Sequence, residues 1–88
     1  MSDSQRVLLI RHHLTAALEP DELAISDDSH LHAGHEGARE GKGHFSVQIT
    51  SSHFEGLNPI KRHRLIYEAL GTLMETDIHA LSIEATAP

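Results

Sequence analysis

Residues 44–70, HFSVQITSSHFEGLNPIKRHRLIYEAL, contain the change of period that decides the fold. Phe45, Val47 and Ile49 alternate with Ser46, Gln48 and Thr50, the two-residue period of a strand with one buried face. Gly56 breaks the next stretch, where FEGL is long enough for one helical turn. From Asn58 onward the period is helical. Asn58 suits an N-cap and Pro59 the first helical position. Ile60, His63, Ile66, Tyr67, Leu70, Leu73 and Met74 form one apolar stripe, which predicts a helix running to Glu75 with Gly71 as its weak point.

Upstream, Val7, Ile10, Leu14, Ala17 and Leu18 recur at helical spacing, so a first helix is expected over about residues 4–18, capped by Ser4 and stopped by Pro20. Leu23 and Ile25 alternate with polar neighbours in a short strand over residues 22–27. A long stretch with Gly34, Gly37, Gly41 and Gly43 follows and separates the two strands. Connections of that length inside a small domain usually carry function or mobility. Downstream, Leu81, Ile83 and Ala85 share one face of a last strand over residues 79–85. Strict alternation places His79 on that same face. The order helix, strand, strand, helix, strand reads as an α+β fold, a three-stranded sheet with helices packed on one face, in one domain spanning residues 1–88.

Composition narrows the function. The chain has 88 residues, a net charge of −6, 3% aromatic residues, nine histidines and no cysteine. Without cysteine it forms no disulfide, thiol nucleophile or cysteine-based zinc site of its own. Its acidity disfavours non-specific binding to nucleic acid, although a local basic face remains compatible with it. VLLI at residues 7–10 is too short for a signal-peptide core, and no apolar run approaches a membrane span, so a soluble, cytoplasmic chain is expected. No serine has an evident base, and no phosphate-cradling glycine pattern occurs, so an enzyme is not expected.

Three features could carry chemistry. Residues 27–38, DDSHLHAGHEGA, hold His30, His32 and His35. Imidazole binds zinc, copper, nickel and iron, but a loop needs a rigid ligand from elsewhere to make a fixed site. The segment is either a metal-ligating loop or a solvated polar one. His79, where a loop hands over to the last strand, is either that rigid ligand or a half-buried structural histidine. Lys61, Arg62 and Arg64 crowd the first turns of the long helix, where the macrodipole disfavours positive charge. They form either an anion-binding or nucleic-acid-binding start or a solvated face in which Arg64 pairs with Glu68. His63, on the apolar stripe, reads as a core or near-core residue.

The ordered set Phe54-x-Gly56, Arg62-His63-Arg64-x-x-Tyr67 and His79-Ala80-Leu81, with DDSHLHAGHEGA at residues 27–38, resembles the BolA family over nearly the whole chain. The resemblance implies a class II KH-like fold, α-β-β-α-α-β, with structural roles for Phe54, Gly56 and His63. It implies a monothiol glutaredoxin as heterodimer partner and a [2Fe–2S] cluster shared with that protein and glutathione. Within this chain the implied ligands are His79 and His32, with His30 and His35 as alternatives for the second. Thiolates then come from the partner, and a histidine pair on one iron has a precedent in Rieske centres. No cofactor is expected on the isolated chain, which is expected to be monomeric. The resemblance also supports an alternative, a DNA-binding regulator using Lys61, Arg62 and Arg64, although FEGLNP lacks the second glycine of a KH clamp.

Overall fold

The computed structural model describes residues 3–28 and 43–88. Its elements are α1 (Asp3–Leu18), β1 (Glu22–Asp27), β2 (Gly43–Thr50), a 3-10 turn (Ser52–Phe54), α2 (Pro59–Leu70), a short α3 (Leu73–Thr76) and β3 (Ile78–Thr86). The sheet order is β1-β2-β3. β1 runs antiparallel to β2, from Glu22 opposite Thr50 to Asp27 opposite Phe45. β3 runs parallel to β2, and α2 and α3 form the crossover that a parallel pair requires. This is the expected α+β arrangement.

Alternation in β2 works as its sequence implies. Phe45, Val47 and Ile49 are buried, whereas Gln48 is exposed. Ile10, Leu14 and Leu18, one face of α1, close over them together with Phe54, Ile66, Leu70, Leu73 and Ile78. With so few rings, this core is mostly aliphatic. Phe54 is fully enclosed at the end of the 3-10 turn. Ser51 ties that turn to α1, because its buried hydroxyl donates to the Leu18 carbonyl at 2.6 Å and accepts from the His53 amide at 3.1 Å. Gly56 follows at φ 76°, a conformation that side chains with a Cβ disfavour.

Several local expectations give way. α1 begins at Asp3, so Ser4 lies inside the helix, and Ala17 is exposed. Asn58 does cap α2, accepting from the Lys61 amide at 2.9 Å. The helix predicted to reach Glu75, however, stops at Leu70. Gly71 takes φ 55° and ψ −127°, and its amide closes the last turn on the Tyr67 carbonyl. The chain then restarts as one turn of α3, which swings Leu73 into the core. The apolar stripe is also narrower than its sequence suggests. Ile66 and Leu70 are buried and His63 is half-buried, whereas Ile60 is 70% exposed and Tyr67 43% exposed. The buried face of α2 is centred on 62, 66 and 70, which leaves Ile60 and Tyr67 on its flank.

Candidate functional site

His79 is set by an irregularity in the sheet. Gly43 pairs with Ile78, but His44 pairs with Ala80, so the register slips by one and His79 has no opposite residue on β2. An extra residue of this kind bends the strand and re-aims its side chain. Burial follows the slip. Ile78 is buried, His79 and Ala80 are both exposed, and Leu81 and Ile83 again face the core. Unbroken alternation would have turned His79 towards the helices with Leu81. The bulge gives that inward position to Ile78 and leaves His79 at the surface.

The same sheet end anchors both ends of the histidine-rich segment. The Asp28 amide donates to the His44 carbonyl at 2.8 Å, and the Gly43 amide donates to the Asp77 carbonyl at 2.9 Å. The Asp28 carboxylate folds back to accept from the Ser26 hydroxyl at 2.8 Å and from the Ser46 hydroxyl. Residue 43 is thus fastened at Asp77, two residues before His79, and residue 28 at His44 on the central strand. His30, His32 and His35 themselves lie outside the described residues.

Asp77, two residues before His79, is braced from two sides. The Thr76 hydroxyl donates to its Oδ2 at 2.7 Å, and Arg6 Nε of α1 donates to its Oδ1 at 3.2 Å. The Thr76 hydrogen bond and the Arg6 guanidinium hold the Asp77 carboxyl below its usual value, against the opposing effect of burial. The backbone leading into His79 is therefore pinned to α1 by an ion pair with both side chains mostly buried.

Among the described residues, no three histidine, aspartate or glutamate side chains converge to hold an ion. The His79 ring is joined to no hydrogen bond or ion pair among them, and its ring contact is with His44, centroids 5.0 Å apart. His44 was not singled out from the sequence. Alternation places it on the polar face with Ser46 and Gln48, yet it is only 6% exposed. Its position directly before the β2 pattern was the available signal.

The basic start of α2 divides. Arg62 Nε donates to the Leu57 carbonyl at 2.8 Å and Nη1 to the Ala85 carbonyl at 3.1 Å. Its guanidinium braces the turn before α2 against the end of β3, so of the three cations only Lys61 and Arg64 face solvent. The expected Arg64–Glu68 ion pair is absent among the described residues. No helix among them is long and apolar enough to cross a membrane.

The family model for BolA-like protein matches residues 14–88. The chain belongs to the BolA family. Among its relatives are Protein BOLA1, chloroplastic, of Arabidopsis thaliana, 45% identical over 86 residues (94% of this chain, 54% of the relative), and mouse BolA-like protein 1, 42% identical over 79 residues (90% and 56%). The Arabidopsis SufE-like protein 1, chloroplastic/mitochondrial, is 42% identical over 88 residues, 94% of this chain and 24% of that protein. This BolA chain therefore spans about half the length of most of these relatives, and less of the last. Solved structures agree in fold. The BolA domain of SufE1 from Arabidopsis superposes with a TM-score of 0.84 at 41% identity, covering 100% of this chain and 95% of that one. BolA1 from Arabidopsis gives 0.80 at 44%, covering 94% and 92%.

Proposed function

We propose that this BolA-family chain pairs with a monothiol glutaredoxin and contributes His79 as a ligand to a [2Fe–2S] cluster held between them, acting in cluster trafficking or in sensing iron and redox status. His32, or else His30 or His35, supplies the second imidazole. One observation carries the reading: the bulge at Gly43/His44 turns His79 out to the surface of an otherwise regular strand, at the sheet end where both ends of the three-histidine segment are anchored.

The donor set suits such a cluster. The chain has imidazoles and no cysteine, so thiolate ligands come from a partner. Exchange of thiolate for imidazole raises the reduction potential and changes the charge of an iron–sulfur site. A strand residue beside an ion-paired turn gives a fixed ligand, while the partner completes the coordination. The DNA-binding alternative loses one of its three cations, because Arg62 is committed to two carbonyls.

The test is to mix the chain with a cluster-loaded monothiol glutaredoxin and glutathione and to record visible absorption and circular dichroism. A one-to-one complex with altered cluster bands, lost or shifted in His79→Ala, is expected. Identical spectra with wild type and His79→Ala overturn the assignment.

A further inference from the structure

The exposed His79 ring rests beside a buried one. The His44 and His79 rings lie 5.0 Å apart, centroid to centroid, with their planes tilted by 54°. That separation is within the range of aromatic contacts. His44 is also held through its backbone. Its carbonyl accepts from the Asp28 amide at 2.8 Å, and the preceding residue, Gly43, donates to the Asp77 carbonyl at 2.9 Å. A buried ring on the central strand, with its backbone bonded to the neighbouring strand, is a stiff support. An imidazole on the surface would otherwise sample several rotamers, and each one frozen later costs free energy at binding.

We propose that His44 is a positioning residue: its buried ring is the floor that restricts the His79 side chain and presents it ready to bind metal. The inference rests on the reading of His79 as a cluster ligand. The bulge decides on which side of the sheet His79 emerges, and His44 decides how its ring is oriented there. Such supporting contacts matter because a ligand held loosely by about 1 Å binds poorly even when it is present.

The first measurement uses the isolated chain. Ring 13C relaxation and chemical shifts of His79 are compared in wild type, His44→Ala, His44→Phe and Val47→Ala. His44→Ala is expected to increase the motion of the His79 ring and shift its resonances, while His44→Phe keeps the ring restricted. Val47→Ala, a core truncation on the same strand, lowers the melting temperature without moving the His79 ring signals. If His44→Ala does not fold, His44→Val, a shorter side chain suited to a strand, is read in its place. In the glutaredoxin mixture, His44→Ala weakens complex formation by about tenfold, the lower end of what supporting contacts contribute at metal sites. His44→Phe stays near wild type.

Unchanged His79 ring dynamics in His44→Ala overturn the proposal, as does an equal change in Val47→Ala. Loss of ring restraint in both His44 variants assigns the effect to the imidazole nitrogens and also overturns the packing role. The relaxation measurement involves no partner. A wild-type chain that forms no complex therefore removes the cluster reading, whereas an unrestrained His79 ring removes the positioning role.

Discussion

Arg62 Nη1 donates to the carbonyl oxygen of Ala85 across 3.1 Å, and this bond closes part of the sheet's open edge. The next carbonyl, that of Thr86, accepts from the Ser51 amide at 3.0 Å on the β2 side. Carbonyls alternate along a strand, so that of Ala85 faces away from β2, where β3 has no neighbour. Unpaired edges invite pairing with other chains, and a side chain laid across one blunts it.

Arg62→Ala removes two hydrogen bonds from a charged, half-buried donor. A loss of about 2 kcal/mol in unfolding free energy is expected, since each bond from this partly solvated donor contributes about 1 kcal/mol net. Urea unfolding measures it. A loss below about 0.5 kcal/mol, the range of ordinary surface changes, would contradict the bracing role.

His79→Ala separates function from stability. The exposed ring contributes little to the core, so unfolding should stay within about 0.5 kcal/mol of wild type. The circular dichroism of a glutaredoxin-bound cluster should change in the same variant. A variant that unfolds early and leaves the spectrum intact would reverse both halves of the expectation.

Asp77 links folding to acidity. Its folded-state pKa is lowered from the ordinary 3.8, first by the Thr76 hydrogen bond and then by Arg6. Above that ordinary value both folded and unfolded chains are ionised and the stabilisation is fully present. As pH falls through it, the unfolded chain takes up a proton first, and the advantage is gone once pH drops below the folded-state value. Asp77→Asn should therefore lose stability at neutral pH, by about 1 kcal/mol for a partly buried pair. Its melting temperature should also depend less on pH below about 4. Curves for wild type and variant that remain parallel down to acid pH would exclude the linkage.

Gly71 ends α2 by conformation rather than by lack of space. A Cβ there would meet only the Glu68 carbonyl, at 4.0 Å, but φ is 55° with ψ −127°. Gly71→Ala should cost about 1–2 kcal/mol, the strain of holding an L-residue in that region. Guanidinium unfolding is the measurement, and a neutral or stabilising result would mean that the helix can run on into α3.

Local pattern determined most of this fold. The alternation of Phe45, Val47 and Ile49 and the Asn58–Pro59 start are properties of neighbouring residues, and they hold regardless of what packs against them. The same is true of the i, i+4, i+8 spacing of Ile10, Leu14 and Leu18, so strands and helices fall where the periods place them. The motifs at residues 54–56, 62–67 and 79–81 also sufficed for the family. The tertiary structure decided the rest, through contacts between residues distant along the chain. Alternation alone would turn His79 inward; only the pairing of β3 with β2 reveals the slipped register that turns it out. Charge alone makes Arg62 a partner for phosphate; only the arrival of β3 beside α2 supplies the Ala85 carbonyl that engages it. His44 looks like one polar strand residue among several until the sheet end assembles around it and brings His79 against its ring. Periodicity reports which face a residue occupies, whereas register and neighbours across the sheet determine what that residue can do there.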